Sequence, residues 1–250
     1  MPSGLSEISP LPSKETVNKA GRKLAGWLYD SEVEISDDEL EPLMLHVYAW
    51  RAQHYGPLGL VMPMLREWSD RYSTSNIKPS QRLKRFKQIL DKLYRHPEMK
   101  LARMQDIGGA RAVLANRNEV EKLHANIRDN WGIQRTKDWR DEGRPDTGYR
   151  ALHLMVAKRD QLSGEDRIVE IQLRTEAEHR WSQVIMAAGD QLGYSLRDGD
   201  GPADLLDYFK LASEVLALID QDAPADKDLR ERFAAAREQV RPYFTPKETS

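Results

Sequence analysis

The chain has 250 residues, 40% of them hydrophobic, so it can bury the core of one large domain or of a core domain with an added subdomain. Its formal net charge of -2 gives no global basic excess of the kind that indicates nucleic-acid binding. The absence of cysteine excludes disulfides and cysteine-ligated zinc. The N-terminus has no basic, apolar leader and no stretch approaches about 18 uninterrupted apolar residues, so we expect a cytoplasmic protein without a membrane span.

The first 75 residues are predicted to be mainly helical. Residues 1–12 contain prolines among serine and glycine, which favours a flexible arm. Ser13 is a candidate N-cap, and Ser36-x-x-Glu39 has the spacing of a capping box. His54 is interpreted as a core or capping histidine, and Gly56-Pro57 is expected to separate the second helix from the third. The predicted helices cover about 13–29, 36–54 and 58–71.

A strongly basic stretch follows between Lys78 and Arg103, where nine lysines and arginines face only Asp91 and Glu98. We interpret it as a helix that carries Arg82, Lys84 and Lys92. Such a helix can hold several polyphosphate oxygens at once, with arginine as a fork and lysine as a point charge. The alternative interpretation is an ordinary solvated helix face.

Two apolar segments joined by a turn at Ser163-Gly164 predict a β-hairpin. In its second strand Glu170, Gln172 and Arg174 share one face and alternate with apolar residues on the other. The alternative is an ordinary solvated strand face. The remaining predicted elements are a strand at 110–115, a helix at 118–131, a strand at 133–139, a helix capped by Thr175 that ends near 192, and helices at about 204–219 and 226–240.

Four sequence blocks resemble, in order, the synthetase domain of the RelA/SpoT family, and together they cover about residues 75–195. The blocks are Arg82-x-Lys84 with Lys92, the run Met104-Gln105-Asp106-Ile107-Gly108-Gly109-Ala110-Arg111, the run Gly148-Tyr149-Arg150-Ala151-Leu152-His153, and the run Val169-Glu170-Ile171-Gln172-Leu173-Arg174-Thr175. Neither a Walker-type nor a Rossmann glycine motif occurs, so those nucleotide-binding folds lose support.

The resemblance implies an α+β fold, with a nucleotidyltransferase-like mixed sheet of about five strands flanked by helices. We expect a flexible arm (1–12), a helical subdomain (13–75), a pyrophosphokinase core (76–195), and C-terminal helices with a tail (196–250). The implied reaction moves the β,γ-pyrophosphate of ATP to the 3′-hydroxyl of GDP or GTP and releases AMP.

The implied site residues fall into three groups. Asp106 and Glu170 would hold Mg²⁺, and Glu170 would also be the general base. The ATP-binding residues would be Arg82, Lys84, Lys92 and Arg111. The acceptor-binding residues would be Tyr149, His153, Gln172 and Arg174, with the Tyr149 ring exposed for stacking on guanine. The structural alternatives are a turn-capping Asp106, a Tyr149 packed on the core and a hydrogen-bonded core His153.

Two acceptors remain open, a free guanine nucleotide (GDP or GTP) and the 3′ end of tRNA. Some family members act as toxins that pyrophosphorylate the 3′ end of tRNA. For such a protein, in a toxin–antitoxin or phage-defence system, an antitoxin protein is a candidate partner. The loop before Gly148 lacks the family's usual Pro-Lys pair, which puts the acceptor in doubt. No His-Asp dipeptide occurs, so we expect a synthetase without the family's hydrolase centre. From the length of 250 residues we also expect it to lack the C-terminal regulatory region of the long enzymes. A homo-oligomer is compatible with the sequence. The alternative from another class of function is a catalytically inactive homologue that keeps the fold and acts as a binding or regulatory protein.

Overall fold

The computed structural model describes residues 11–245, so nearly all of the predicted flexible arm lies outside the described residues. Within that range the chain forms eight α-helices, five strands and two short 3-10 turns. The helices are α1 (Lys14–Tyr29), α2 (Asp37–Ala52), α3 (Tyr55–Tyr72), α4 (Phe86–Arg95), α5 (Arg117–Asn130), α6 (Glu176–Leu192), α7 (Ala203–Ile219) and α8 (Lys227–Phe244). The strands are β1 (Ser80–Leu83), β2 (Gly108–Leu114), β3 (Ile133–Asp138), β4 (Leu152–Arg159) and β5 (Asp166–Thr175).

The five strands form one mixed sheet in the order β1-β2-β5-β4-β3, flanked by helices, which confirms the predicted α+β architecture. The predicted hairpin is β4 and β5, which are neighbours in the sheet. Its turn is closed by hydrogen bonds from the backbone N–H of Asp160 to the carbonyl of Glu165 (2.8 Å) and from Gly164 to the carbonyl of Asp160 (2.9 Å). The Asp160 carboxylate also accepts from the N–H and hydroxyl of Ser163.

By its contacts the chain divides into two compact units, and helix α3 and strands β1, β2, β4 and β5 contribute residues to both. Among the described residues, the first unit contains residues 11–63, Gln81–Ala110 and Met155–Glu170. Its core is built from α1, α2, α4 and the turn before β2, with Leu24, Val47 and Ile89 fully buried or nearly so. The second unit contains Met64–Ser80, Arg111–Leu154 and residues 171–245, and its core packs α6, α7 and α8 around Trp181 and Phe209.

The helix starts follow the capping pattern of the sequence. The Ser13 hydroxyl accepts from the N–H of Thr16 (3.1 Å) at the start of α1, and Ser36 with Glu39 forms the predicted capping box of α2. The predicted break at Gly56-Pro57 was wrong, because α3 already begins at Tyr55. Proline is tolerated in a first helical turn, where its missing N–H has no partner within the helix, so Pro57 starts α3 instead of separating two helices.

The predicted basic helix was also wrong in its first part. Arg82 lies on strand β1, Lys84 follows that strand, and α4 begins only at Phe86. Pairing of β1 with β2 at the sheet edge overrides the local preference of this segment for a helix. The chain is therefore extended where the first helical turns were predicted. No helix among residues 11–245 is long and apolar enough to cross a membrane.

Candidate active site

The polar row on strand β5 is buried, although the sequence left open an ordinary solvated face. Glu170 is 7% exposed, Gln172 is 9% exposed and Arg174 is 1% exposed. Burying charged groups is costly unless they are paired, so a strand of this kind is retained only where partners compensate the charges. The row is therefore not an ordinary solvated strand face, and its burial favours a functional site.

In the first compact unit a carboxylate lies between two lysines. The Asp106 carboxylate Oδ2 is 2.9 Å from Nζ of Lys84 and 2.9 Å from Nζ of Lys92. Burial raises the pKa of Asp106, but the two lysine charges outweigh it and hold that pKa at about 2. Asp106 is therefore ionised throughout the neutral range.

Three separate elements bring these charges together. Lys84 follows β1, where its backbone N–H donates to the carbonyl of Ile107 (2.8 Å) and its carbonyl accepts from Nε of Arg51 (2.7 Å). Lys92 lies on α4, and Asp106 precedes β2 by two residues. Because β1 and β2 are paired, Lys84 and Asp106 meet across adjacent strand ends although 22 residues separate them.

The predicted acceptor residues form a connected cluster in the second compact unit. The Tyr149 hydroxyl lies 2.7 Å from Nε2 of His153 and accepts a hydrogen bond from Nη2 of Arg174 (2.6 Å). The same Nη2 donates to the side-chain oxygen of Gln172 (2.9 Å). The Arg174 guanidinium also lies 4.9 Å from the Tyr149 ring centroid, within the range of a cation–π contact. The structure thus joins all four residues through one tyrosine hydroxyl and one guanidinium.

The expected exposure of the Tyr149 ring was wrong, because the residue is only 4% exposed and packs near Trp181 in the core of the second unit. The backbone before it explains the burial. Gly148 has φ of +75°, and a Cβ there would lie 2.9 Å from the Cα of Lys210 on α7. The Ser213 hydroxyl on α7 donates to the Gly148 carbonyl (2.5 Å), so the helix holds the segment that turns the ring inward. A role in guanine stacking stays a prediction.

Sequence reasoning missed His179, which lies in the first turns of α6 and is 9% exposed. Burial lowers the pKa of His179, and the charges of Arg111 and Arg174 lower it further. Its Nδ1 atom has no hydrogen-bond partner among the described residues. Arg111 and Arg174 thus both act on the charge of His179 in the second unit, whereas Arg82, Lys84 and Lys92 belong to the first. Arg82 is exposed on β1.

The carboxylates present fit a divalent cation. Oδ1 of Asp106 is buried and has no hydrogen-bond partner within residues 11–245, and the group is ionised. Glu170, on β5 of the same unit, is the second predicted ligand. No group of three or more acidic, histidine or cysteine side chains is assembled for a metal in the described part of the chain. This donor set suits Mg²⁺, which binds through one or two carboxylates plus substrate phosphates and water.

Residues 81–194 match the family model described as "Region found in RelA / SpoT proteins". Two uncharacterized proteins, from Mycobacterium bovis and Mycobacterium tuberculosis, are each 31% identical over 166 residues, or 64% of this chain. The match spans 57% of the length of those relatives.

Solved structures share the fold. The small alarmone synthetase 1 of Bacillus subtilis bound to its product pppGpp superposes with a TM-score of 0.57 at 22% identity, over 76% of this chain and 94% of its own. A GTP pyrophosphokinase family protein of Streptococcus pneumoniae gives a TM-score of 0.59 at 19% identity, over 81% and 99% of the two chains. The small alarmone synthetase 2 of Bacillus subtilis gives 0.57 at 24% identity, over 69% and 93%.

Proposed function

We propose, from the premise that residues 81–194 form a RelA/SpoT-family domain, that this chain transfers the β,γ-pyrophosphate of ATP to the 3′-hydroxyl of GDP or GTP. The observation that carries the proposal is the Lys84–Asp106–Lys92 cluster. It combines one ionised carboxylate with two ammonium groups, which is the charge pattern that a triphosphate and its cation require.

Both lysine ammonium groups contact Asp106. Once ATP binds, Lys84 and Lys92 turn to its phosphate oxygens, and the Asp106 carboxylate becomes available as a ligand. Arg82 is exposed on β1 and adds a forked donor for the same phosphates.

Asp106 and Glu170 would hold Mg²⁺, which supplies charge neutralisation at the phosphates when it is bound. Glu170 accepts the proton of the acceptor 3′-hydroxyl. The 3′-oxygen attacks the β-phosphorus of ATP, the bond from that phosphorus to the oxygen of the α-phosphate breaks, and AMP leaves with that oxygen. The Tyr149–Arg174 cluster, with His153 and Gln172, orients the acceptor nucleotide.

The direct test is incubation of the purified chain with Mg²⁺, γ-labelled ATP and GDP, GTP or bulk tRNA in parallel, followed by separation of the products. We expect label in a guanosine tetra- or pentaphosphate and an equal amount of AMP. Free labelled phosphate or pyrophosphate as the sole product, with every acceptor, would contradict the proposed transfer.

Labelled tRNA without labelled guanosine polyphosphate would instead identify the tRNA 3′ end as the acceptor. The proposed transfer of pyrophosphate from ATP would be unaffected by that result. The net charge of -2 favours the free nucleotide, because binding along the tRNA backbone requires several phosphate contacts. A salt series separates the two acceptors: affinity for tRNA falls steeply with added salt, in proportion to the number of phosphates contacted. A toxin role with an antitoxin partner would follow only from the tRNA result.

A further inference from the structure

Arg150 directly follows Tyr149 in the second compact unit, and its side chain is buried at 6% exposure. Its Nε donates to the hydroxyl of Ser213 (3.0 Å), and its Nη1 donates to the backbone carbonyl of Arg140 (2.7 Å). The same Nη1 contacts the carbonyl of Asp141. Burying a charged group is costly unless its donors are satisfied, so the guanidinium and these neutral oxygens hold one another in place.

The Ser213 hydroxyl on α7 continues this network. Ser213 is 3% exposed, and its oxygen accepts from Nε of Arg150 while its hydrogen is donated to the carbonyl oxygen of Gly148 (2.5 Å). A hydroxyl can donate and accept at the same time. Helix α7 therefore bridges the residues on the two sides of Tyr149.

The loop before Gly148 closes onto the same segment. The N–H of Gly148 donates to the carbonyl of Arg144 (2.7 Å), and the N–H of Arg144 donates to the carbonyl of Tyr149 (2.9 Å). Gly143 has φ of +72°, and a Cβ there would lie 3.1 Å from the Gly148 carbonyl oxygen, so both backbone angle and space favour glycine. The Gly148 carbonyl is thus held by the loop and by Ser213.

The position of this backbone decides where the Tyr149 hydroxyl lies. That hydroxyl accepts from Nη2 of Arg174 at 2.6 Å and lies 2.7 Å from Nε2 of His153. A displacement of about 1 Å is enough to break hydrogen bonds of this length and to misplace a bound substrate. Residues that fix Gly148 therefore also fix the Tyr149–Arg174 cluster.

We propose that Ser213 and Arg150 are positioning residues for the guanine nucleotide acceptor, which act by holding Tyr149 against Arg174. The proposal rests on the proposed function, which assigns the Tyr149–Arg174 cluster to the acceptor. Helix α7 lies beyond residues 81–194, which match the family model, so this C-terminal helix becomes part of the acceptor site.

The test measures binding to the full chain by isothermal titration calorimetry, with GDP in one series and a non-hydrolysable ATP analogue with Mg²⁺ in another. Ser213→Ala removes the bridging hydroxyl, and Arg150→Lys keeps the positive charge but loses the Nε donor. Each should weaken GDP binding on the order of tenfold, because the cluster loses its orientation. Affinity for the ATP analogue should stay within about twofold, since the donor residues Lys84 and Lys92 belong to the other unit.

Ser73→Ala is the matched control in the same unit. It removes a hydroxyl that also donates and accepts, to a carboxylate oxygen of Glu119 (2.7 Å) and from the N–H of Ser75 (3.1 Å). It should destabilise the chain in urea as Ser213→Ala does, but leave GDP affinity unchanged. An equal loss of GDP affinity in Ser73→Ala would overturn the proposal, because general destabilisation would then account for both.

The double variant Ser213→Ala with Arg150→Lys tests whether the two residues act through one network. Its GDP affinity should fall about as far as in the weaker-binding single variant, because both changes break the same chain of hydrogen bonds. Losses that multiply to about a hundredfold would overturn the proposal, as would unchanged GDP affinity in both single variants.

Two further outcomes separate this proposal from the proposed function. If the unsubstituted chain binds GDP but transfers no label from ATP, the proposed reaction fails, while the affinities of the variants still decide the positioning role. If the variants fail to fold, hydrogen exchange on the unsubstituted chain decides it. Saturation with GDP should slow exchange of the Gly148 and Arg144 amides, because a ligand that binds the ordered loop suppresses its opening. Unchanged exchange, or no binding of GDP, would overturn the proposal.

Discussion

Asp106 sits between two lysine ammonium groups, and this pairing governs what its removal does to the molecule. The lysine side chains are 12% and 26% exposed, so their charges are only partly screened by solvent. Taking away the carboxylate leaves two like charges near each other without their shared partner. Removal of Asp106 is therefore expected to affect both the stability of the fold and the proposed reaction.

We predict that Asp106→Ala lowers pyrophosphate transfer at least 100-fold, because it removes a proposed metal ligand. It should also lower the free energy of unfolding by about 1–3 kcal/mol, less than for a fully buried pair because the lysines can reach water. Initial rates with labelled ATP and urea unfolding measure the two effects. Asp91→Ala is the matched control, since it breaks the exposed α4 pair with Arg95 and should change neither by much. Near-normal turnover of Asp106→Ala would remove this residue from the site.

The Tyr149 hydroxyl supports a second residue-level prediction. Tyr149→Phe keeps the ring packed near Trp181 but deletes the oxygen that accepts from Arg174 and contacts His153. Since a hydrogen bond to a charged group is worth about 1.5–3 kcal/mol, the KM for the acceptor should rise roughly tenfold to a hundredfold while the KM for ATP stays within about twofold. Tyr243→Phe, which removes a hydroxyl bonded to Asp204 in the same unit, is the control. A rise in the KM for ATP alone would place Tyr149 on the donor side.

At the scale of elements, the junction of β5 and α6 holds the acceptor cluster in register. Thr175 ends the strand and caps the helix: its hydroxyl oxygen accepts from the N–H of Glu178 (3.2 Å), and the Glu178 carboxylate accepts from the N–H of Thr175 (2.9 Å). This capping box satisfies two backbone donors at a fully buried position. Arg174 immediately precedes it, so the cap fixes where the buried guanidinium lies.

We predict that Thr175→Ala destabilises the chain by about 1–2 kcal/mol, because the N–H of Glu178 loses its acceptor. For a chain of this size the melting temperature should fall by about 2–4 °C for each kcal/mol. Thr175→Ser retains the oxygen and should recover most of the loss in the same calorimetric scan. If serine and alanine destabilise equally, packing of the threonine methyl, and not the cap, accounts for the effect.

At the scale of the whole molecule, buried histidine makes stability depend on pH. His54, between α2 and α3, is 2% exposed, and its Nδ1 lies 3.1 Å from the carbonyl oxygen of Trp50. Burial, together with the nearby Arg167 charge, lowers the pKa of His54 to about 4, against hydrogen bonds that raise it. The folded chain thus keeps this ring neutral where the unfolded chain, with a pKa near 6.5, protonates it.

The sign of the effect follows from proton uptake. The unfolded state binds the extra proton between pH 6.5 and about 4, so His54 contributes stability above pH 6.5 that is lost as pH falls through this window. The predicted loss is about 3 kcal/mol in urea unfolding between pH 7 and 4. His54→Gln should flatten that slope. An unchanged slope would assign the acid sensitivity to other groups.

Local signals in the sequence determined much of the structure. The caps at Ser13, Ser36 and Thr175, the Ser163-Gly164 turn and the period-two row on β5 all act within a few residues, so they predicted the helix starts and the hairpin correctly. The four motif blocks predicted the five-stranded α+β sheet, and they identified Lys84, Lys92 and Asp106, which the structure brings together.

Other features depend on contacts between distant parts of the chain, and only the tertiary structure decided them. Pairing with β2 made Arg82 part of a strand, and the contact of α7 with Gly148 turned the Tyr149 ring into the core. Burial of the polar row and the field of Arg111 and Arg174 on His179 likewise come from packing. The physical reason is that burial and electrostatic fields sum over neighbours in space, whereas capping and strand alternation depend on neighbours along the chain.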